Sequence, residues 1–286
     1  MYSLLTIGFF PNETKDTDLN FTKMLIDFVV QKGCRALLYS EFEQYKDIQA
    51  QFCSEKVLLQ ESAFVVVLGG DGTILRYAEK TCVYQRDLLG INLGTLGYLT
   101  DVEKDGAIKA LQNVLDKRFK VEKRMMLETD ICGVNKIALN DIYISKGFYS
   151  KMAKLEIYIN DEYIDTYCGD GIIFSTPTGS TGYNISAGGP ILKPDAEMIA
   201  VTPICPHNLY ARPFVISAHD VIRVTVCDHQ NADVTLSADG ERKAQIESGD
   251  SIVIKRSDFY TSIIRTTNLG FYDILRRKMV GTGREI

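Results

Sequence analysis

The chain has 286 residues, of which 45% are apolar and 24% are charged, and its formal net charge is −5 at pH 7. This length allows a sizeable core and two domains. The acidic balance argues against a nucleic-acid surface, and no apolar run approaches the ~20 residues of a membrane span. The first residues show no signal-peptide pattern, and the seven cysteines show no CxxC spacing. We therefore expect a cytoplasmic protein with reduced thiols and no nucleic-acid or membrane partner.

The first 120 residues alternate between short apolar runs and segments of helical periodicity. The runs predict buried parallel strands, and the apolar stripe that begins at Phe21, behind a cap at Asp18, predicts the first helix. This alternation predicts a doubly wound α/β domain whose ligands gather at the carboxyl ends of the strands, where Asp71 and Asn92 are placed. The predicted elements are a strand at 4–10, a helix ending at Gly33, a strand at 35–39, a weaker helical region at 42–52, a strand at 63–68, a helix at 73–80, a strand at 88–93 and a helix near 107–115.

From Met125 onward the periodicity is that of strands. Segments rich in β-branched and aromatic residues are separated by turn pairs such as Asn160–Asp161 and Asp239–Gly240. We predict an α/β domain over 1–120 and an antiparallel β-sandwich domain over 121–264. Helical character returns at 269–278, where the basic run Arg276–Lys278 predicts a solvated helix face or a complement to the helix dipole.

One motif, LGGDGT at Leu68–Thr73, lies between an apolar run and a helical segment, so it predicts a strand-to-helix turn. Backbone N–H groups and the helix dipole at such a turn collect phosphate oxygens. Asp71 would repel a phosphate, so its carboxylate is expected to face a metal ion, a sugar hydroxyl or both. The alternative is a plain turn in which Asp71 caps the helix.

A second motif, GDGIIFSTPTGSTGYNISAGGP at Gly169–Pro190, is rich in hydroxyl side chains beside glycines. Such residues suit the edges of a base, the hydroxyls of a ribose and phosphate oxygens, and Tyr183 adds a flat face for stacking. A solvent-exposed Ser/Thr-rich loop is the alternative. With the first motif, this segment indicates a nucleotide phosphotransferase.

Five ordered motifs resemble the NAD kinase family. They are LGGDGT, GINLGTLGYLTD from Gly90, the pair Asn140–Asp141, the GDG…TPTGSTGY…SAGGP segment and PICPHNLYARPFV, and the resemblance spans about Ile7 to Ile254. It implies an enzyme that transfers a phosphoryl group from ATP, or in some members polyphosphate, to the 2′-hydroxyl of the adenosine ribose of NAD, giving NADP. A divalent metal ion, Mg²⁺, is implied with the donor. The resemblance further implies a homodimer or homotetramer, an NAD-binding β domain, and a C-terminal segment, 265–286, that joins the first domain.

The resemblance also assigns roles to residues. It makes Asp71 the catalytic acceptor of the hydroxyl proton, and it places Asp71–Gly72 and Asp170 in contact with NAD, while Asp170 structuring its own turn is the alternative. No metal-ligating residue is singled out. The residues expected to bind nucleotide are Gly69, Gly70, Gly72, Thr73, Arg76, Asn140, Asp141, Lys151, Cys168, Asp170, Thr178, Thr181, Gly182, Tyr183, Asn184 and Ser186.

The chain departs from the family pattern at three of these positions. Asp141 stands where glutamate is usual, Gly182 where alanine is usual, and Cys168 where a basic residue is common. Arg76 and Lys151 are then the expected cations for the dinucleotide pyrophosphate, with a plain surface placement as the alternative for Arg76.

Two other functions stay open from the sequence. A lipid or sugar-phosphate kinase with a GGDG turn is disfavoured by the hydroxyl-rich segment. A catalytically silent dinucleotide-binding regulator is disfavoured by the intact Asp71 and Asn140.

Overall fold

The computed structural model describes residues 4–131, 134–147, 151–227 and 233–280. Contacts along the chain divide it into two units, Met1–Lys123 with Thr261–Ile286, and Arg124–Tyr260. The domain boundaries predicted from the sequence, 1–120 and 121–264 with 265–286 joining the first domain, stay a prediction. Residues 281–286 of the last segment lie outside the described part.

The first unit is built on a parallel sheet. Its strands are β1 (Thr6–Phe10), β2 (Arg35–Tyr39), β3 (Gln51–Cys53), β4 (Phe64–Gly69), β5 (Asp87–Asn92) and β6 (Val102–Glu103). Five of them lie in the order β3-β2-β1-β4-β5, and β6 pairs with β5. All residues of β1 and β4 are buried, because both faces of the sheet are covered, which is why these strands are continuous apolar runs in the sequence.

Helices cover both faces of this sheet. They are α1 (Asn20–Gln31), α2 (Glu55–Glu61), α3 (Asp71–Val83) and α4 (Ala107–Leu115). Phe9 of β1 shares one core with Leu25 of α1 and Leu111 of α4. Phe10 points to the other face and stacks on Tyr77 of α3, with 4.0 Å between the ring centroids. The predicted doubly wound α/β architecture is confirmed.

The predicted cap of α1 is wrong by two residues. Asp18 has a φ of +57° and does not cap the helix. Asp16 does, since its carboxylate oxygens accept the N–H groups of Phe21 at 2.9 Å and Thr22 at 2.8 Å. The side chain that satisfies these N–H groups therefore precedes the helix by a short 3-10 turn, which the local pattern did not indicate.

The predicted helical region at 42–52 is also wrong. Its apolar residues recur at helical spacing, but Tyr45 and Ile48 donate their N–H groups to carbonyls three residues earlier, so the chain forms successive turns. The helix comes later, as α2, with the Ser54 hydroxyl accepting the Val57 N–H at 3.4 Å. Phe42 and Ile48 still reach the core, which shows that tertiary packing rather than helix periodicity explains their spacing.

The second unit contains two antiparallel sheets. Its elements are β7 (Lys120–Ile131), β8 (Val134–Ala138), β9 (Asp141–Lys146), β10 (Ala153–Ile159), β11 (Glu162–Gly169), β12 (Gly171–Ser175), α5 (Tyr183–Ser186), β13 (Met198–Ile204), β14 (Phe214–Ser217), β15 (Ile222–Val226), β16 (Val234–Ala238), β17 (Glu241–Ile246) and β18 (Ser251–Arg265). β7 and β18 each continue into the first unit.

The two sheets share one core. The six-stranded sheet has the order β14-β13-β12-β9-β16-β17, and the other contains β11, β10, β15 and the first part of β18. Phe174 and Leu236 from the first sheet pack in the same core as Leu155 and Val224 from the second. This arrangement confirms the predicted antiparallel β-sandwich.

The described chain ends in a helix of the first unit, α6 (Phe271–Val280), two residues later than predicted. The ring of Phe271 lies 6.2 Å from that of Tyr98. Within the described ranges, no helix has the length and apolar character needed to cross a membrane.

Candidate active site

The GGDG turn lies at the carboxyl edge of the parallel sheet, as predicted. Gly69 ends β4 beside Asn92, which ends β5, and Asp71 is the first residue of α3. A side chain at Gly69 would bring its Cβ within 2.2 Å of the Thr73 hydroxyl, so glycine is required there. Asn92 is 2% exposed and its Oδ1 accepts the Gly94 N–H at 2.8 Å. Asn92 therefore shapes the next turn instead of facing a ligand.

A cavity of about 650 Å³ opens at this edge of the first unit. Five of the predicted site residues line it, namely Gly70, Asp71, Gly72, Thr73 and Arg76. Other lining residues were not predicted from the sequence, among them Asn12, Lys15, Thr95, Gly97 and Lys278. Lys15 follows the end of β1, the strand that lies beside β4. Its position after a neighbouring strand was the feature of the sequence that could have predicted Lys15 at this site.

Cations surround the turn. The Lys15 Nζ lies 3.2 Å from where a Cβ on Gly70 would stand, so the ammonium group sits directly over the glycines. Arg76 is exposed on α3, and the Lys278 Nζ lies 4.8 Å from the centroid of the Tyr98 ring. Lys278 was predicted to be a solvated or dipole-complementing residue; it lies in the last turn of α6 and also lines the cavity. The cavity is therefore lined by three cations, Lys15, Arg76 and Lys278, and by three carboxylates, Glu13, Glu41 and Asp71. The individual cations suit phosphate oxygens.

The Asp71 carboxylate is held by the loop that follows β5. Its Oδ2 accepts the Tyr98 N–H at 2.7 Å, and its Oδ1 accepts the N–H groups of Leu99 at 3.0 Å and Thr100 at 3.2 Å. The Thr100 hydroxyl adds a fourth bond, to Oδ1, at 3.2 Å. These bonds exclude the alternative in which Asp71 caps its own helix. Among the described residues Oδ2 has one donor, so it keeps further acceptor capacity.

In the second unit, Asn140 and Asp141 lie at the start of β9, as predicted. The Asp239 carboxylate accepts the N–H groups of Leu139 at 2.8 Å, Asn140 at 2.7 Å and Asp141 at 3.2 Å. The Asp141 side chain is 4% exposed. Burial, with a smaller contribution from the Asp239 charge, raises the pKa of Asp141 to about 7. Asp239 was not found from the sequence, since nothing local connects it to residue 140.

The hydroxyl-rich segment is ordered against Asn140. The Asn140 carbonyl accepts the Thr176 N–H at 2.9 Å, and a Cβ on Gly179 would stand 2.1 Å from the same oxygen. The Thr176 hydroxyl donates to the Leu139 carbonyl at 2.6 Å. The alternative of a solvent-exposed loop is therefore wrong, because Ser175, Thr176, Thr178 and Ser180 are buried.

One predicted ligand contact of this segment is contradicted. Asn184 is fully buried, and its amide donates to the carbonyls of Ser180 at 3.3 Å and Pro190 at 2.9 Å while accepting the Thr202 hydroxyl at 2.6 Å. Every polar group of its side chain is used to hold the turn around α5. Asn184 is a structural residue behind the surface, and its side chain does not face a nucleotide.

Other residues of the segment reach the surface. Tyr183 is 42% exposed and packs edge to face on Tyr143, with 5.3 Å between the ring centroids. Ser186 is exposed, and Thr181 and Gly182 are half-buried. Burial raises the pKa of Tyr183, and the neighbouring groups Tyr143, Cys205, Asp141 and Asp170 add to that effect. Tyr143 was missed from the sequence.

Four further predicted residues lie in the second unit. Asp170 is half-buried and its carboxylate pairs with the Lys146 ammonium at 3.1 Å, so Asp170 has a cationic partner that the sequence did not indicate. Cys168 is half-buried near the end of β11, and its carbonyl accepts the His207 N–H at 2.7 Å. Lys151 is exposed and lies just before β10. Thr178 accepts a hydrogen bond from Arg124 Nη1 at 3.2 Å and is 6% exposed.

Two family models together match most of the chain. The model described as the ATP-NAD kinase N-terminal domain matches residues 7–119, and the one described as the ATP-NAD kinase C-terminal domain matches residues 139–266. The class of protein defined by this fold and these matches is a nucleotide phosphotransferase.

Curated relatives show to which family of nucleotide phosphotransferases the chain belongs. The chain is 39% identical to an NAD kinase of Acetivibrio thermocellus, covering 99% of this chain and 100% of that protein. It is 39% identical to an NAD kinase of Caldanaerobacter subterraneus subsp. tengcongensis, covering 96% and 98%. The chain belongs to the NAD kinase family.

Solved structures share the fold. A crystal structure of an NAD kinase from Archaeoglobus fulgidus in complex with ATP has a TM-score of 0.73 at 25% identity, covering 95% of this chain and 99% of that one. A yeast NADH kinase complexed with NADH has a TM-score of 0.86 at 23% identity, covering 100% of this chain and 90% of that one, and supports the fold.

Proposed function

We propose that the chain transfers the γ-phosphoryl group of ATP to the 2′-hydroxyl of the adenosine ribose of NAD, giving NADP. Its membership of the NAD kinase family supports this reaction. The observation that carries the proposal is the Asp71 carboxylate, which backbone N–H groups fix in the wall of a cavity that Lys15, Arg76 and Lys278 also line. Phosphoryl transfer requires this combination of charge neutralisation and a positioned proton acceptor.

The cavity of the first unit is proposed to hold the donor. The open backbone of Gly70 and Gly72 allows a triphosphate to approach the start of α3, where N–H groups point outward. The Lys15 ammonium over Gly70 and the Arg76 guanidinium would neutralise phosphate oxygens. The ATP complex of the Archaeoglobus fulgidus relative supports ATP as the donor, with polyphosphate as the alternative that the family resemblance implies.

Asp71 is proposed to accept the proton of the attacking hydroxyl through Oδ2. A carboxylate accepts such a proton late in the transition state, when the attacking oxygen has become acidic. Its partner oxygen, Oδ1, is engaged by Leu99 and Thr100, so the carboxylate cannot rotate freely. Fixing the acceptor in this way reduces the reorganisation that the reaction would otherwise require.

The second unit is proposed to bind NAD. Asn140 and Asp141 offer an amide and a carboxylate at the start of β9, and Tyr183 offers an exposed aromatic face. The remaining proposed contacts are Asp170, Thr181, Gly182, Ser186, Lys151 and Cys168, and the buried Thr178 is proposed to support the segment. Gly69, Gly70, Gly72 and Thr73 are proposed to lie at the donor phosphates, and the family resemblance also places Gly72 at NAD.

A divalent metal ion fits the donor cavity only as a partner of the phosphates. The part of the chain that the structure describes contains no group of three or more His, Cys, Asp or Glu side chains able to hold an ion. Mg²⁺ is commonly bound by one or two carboxylates together with substrate phosphates, and Asp71 and Glu41 are carboxylates that line the cavity. Such an ion would neutralise the charge that develops on the transferred phosphoryl group.

The test is NADP formation by the purified chain from NAD and ATP, followed with an NADP-specific dehydrogenase. We expect formation to require both substrates and to stop when EDTA removes divalent ions. Replacing ATP with polyphosphate, and NAD with NADH, identifies the donor and acceptor ranges. Failure to form NADP with either donor, while the chain still binds NAD, would support the silent regulator instead.

We further propose a homodimer or homotetramer that works in the cytoplasm. The six cysteines that the structure describes are free thiols, which suits a reducing compartment. Light scattering after size-exclusion chromatography tests the assembly, and a mass equal to one chain at micromolar concentration would contradict it.

A further inference from the structure

The loop that holds Asp71 is itself held from behind by an arginine. Arg265, near the end of β18, has a side chain that is 13% exposed. Its Nη1 donates to the Leu99 carbonyl at 2.9 Å, and its Nη2 donates to the Tyr98 carbonyl at 3.3 Å. The guanidinium therefore donates hydrogen bonds to the same short segment whose N–H groups bind the Asp71 carboxylate.

The two sets of bonds use the same peptide groups. The Tyr98 carbonyl and the Leu99 N–H belong to one peptide group, and the Leu99 carbonyl and the Thr100 N–H belong to the next. In both groups the oxygen accepts from Arg265 and the N–H donates to Asp71 Oδ1. A cation at the carbonyl polarises the peptide, and this strengthens the N–H as a donor.

Arg265 is in turn fixed by two carboxylates. Its Nη1 donates to Asp101 Oδ1 at 3.0 Å, and its Nε donates to Glu122 Oε2 at 2.8 Å. Asp101 is buried and also accepts the Thr267 hydroxyl at 2.5 Å. The planar guanidinium donates to both carboxylates and to both backbone carbonyls at once. A lysine ammonium cannot do so with its single nitrogen.

We propose that Arg265 is the positioning residue of Asp71, acting through the Tyr98–Thr100 backbone. It touches neither substrate in this scheme. Its effect is to keep Oδ1 engaged by three donors, so that Oδ2 keeps the acceptor capacity that the proposed proton transfer uses. This inference rests on the proposed function, because it assigns Asp71 the role of proton acceptor.

The first test is a pair of matched variants. Arg265→Lys keeps the positive charge and loses the planar guanidinium with its several donors. Arg86→Lys is the control, because Arg86 also donates to two backbone carbonyls, those of Leu59 at 2.7 Å and Gln60 at 3.1 Å. We expect Arg265→Lys to lower kcat by about 10–100-fold, the order of loss that a misplaced catalytic group causes, while KM for NAD and ATP is retained. Arg86→Lys should leave kcat unchanged.

A double-mutant cycle separates positioning from a general structural effect. In an Asp71→Asn background, Arg265→Lys should cost little further kcat, because the group on which Arg265 acts is already lost. Losses that multiply in the double variant would show that Arg265 acts independently of Asp71, and would overturn the proposal.

Hydrogen exchange supplies a readout that does not depend on activity. Mass spectrometry of peptides covering residues 95–101 should show faster amide exchange in Arg265→Lys than in the unaltered chain, and no change in Arg86→Lys. Unchanged exchange in Arg265→Lys overturns the proposal. Faster exchange in a chain that makes no NADP would retain the link from Arg265 to the loop and reject the proposed function.

Discussion

Two hydrogen bonds join Asp141 and Asp239 at the start of β9, one between their backbones and one from a backbone N–H to a side chain. The Asp239 N–H donates to the Asp141 carbonyl at 3.0 Å, and Asp239 Oδ1 accepts the Asp141 N–H at 3.2 Å. Because the Asp239 carboxylate accepts backbone N–H groups at this point, its negative charge is held close to the buried Asp141 carboxyl. Burial first, and that charge second, raise the pKa of Asp141 to about 7, so this group titrates near neutral pH.

The raised pKa of Asp141 predicts a stability that falls as pH rises. In the folded chain Asp141 binds its proton more tightly than in the unfolded chain, where its pKa has the ordinary value of 3.8. Its contribution to stability is therefore complete below about pH 4 and is lost as pH rises through about 7, a change of roughly 4 kcal/mol at ~1.4 kcal/mol per pH unit. We expect Asp141→Asn, which stays neutral, to lose less stability than the unaltered chain between pH 5 and pH 8.

Urea denaturation at several pH values measures this difference. Asp161→Asn serves as the control, since Asp161 is an exposed carboxylate in a turn of the same unit with φ of +65°, a conformation that asparagine tolerates. Its denaturation midpoints should follow those of the unaltered chain at every pH. Parallel curves for Asp141→Asn and the unaltered chain would show that Asp141 does not titrate in this range.

The role of Asp71 is tested by replacement with the isosteric amide. Asp71→Asn cannot accept a proton, and its NH₂ group would face one of the N–H donors of the 98–100 loop. We expect kcat to fall by about 10²–10⁴-fold, the range of general acid–base effects, while NAD affinity measured by calorimetry is retained.

Asp220→Asn is the matched control for Asp71→Asn. The Asp220 carboxylate likewise accepts a backbone N–H, that of Ser217 at 3.0 Å, in a turn of the second unit. It should alter stability slightly and leave kcat unchanged. An Asp71→Asn enzyme as fast as the unaltered one would remove Asp71 from the chemistry.

Much of this site follows from local sequence. The runs at 63–68 and 88–93 are continuous and apolar because both sheet faces are covered, so the periodicity alone places Asp71 and Asn92 at one edge. Asn140–Asp141 could be placed at a strand start for similar reasons. These features depend on residues close together in the chain.

The supports of the site could not be predicted in this way. Asp71 is held by a loop 27–29 residues later, and that loop is held by Arg265, a further 166 or 167 residues along. Asn184 shows the opposite error, because a polar residue in a promising motif is buried as a structural amide. Hydrogen bonds between distant segments have no periodic signature, so a single sequence does not reveal which polar side chains face a ligand and which hold the backbone.

Lys15 is expected to bind the donor phosphates. Its ammonium lies over Gly70, and in Lys15→Met the volume is nearly kept while the charge is lost. A hydrogen bond to a charged group contributes about 1.5–3 kcal/mol, so KM for ATP should rise by about 10–100-fold. KM for NAD should stay near its original value, since Lys15 belongs to the donor cavity.

Initial rates at varied ATP and fixed NAD, and the reverse, separate the two constants. Lys23→Met is the control, because Lys23 is a lysine of α1 whose ammonium pairs with Asp47 outside this cavity. Equal effects of the two variants on KM for ATP would show that general charge, and not the position of Lys15, attracts the donor.

Gly97 leaves the space that the Asp71 carboxylate occupies. A Cβ at this position would lie 1.9 Å from Asp71 Oδ1 and 2.4 Å from the Thr100 hydroxyl, so either the carboxylate or the loop must move. Gly97→Ala should therefore lower kcat by about 10²-fold through displacement of a catalytic group, with a smaller effect on NAD affinity. Gly106→Ala is the control, since a Cβ there would meet only Val102, at 3.8 Å. If Gly97→Ala retained full kcat with its fold intact by circular dichroism, the carboxylate position described here would not be the one that catalysis uses.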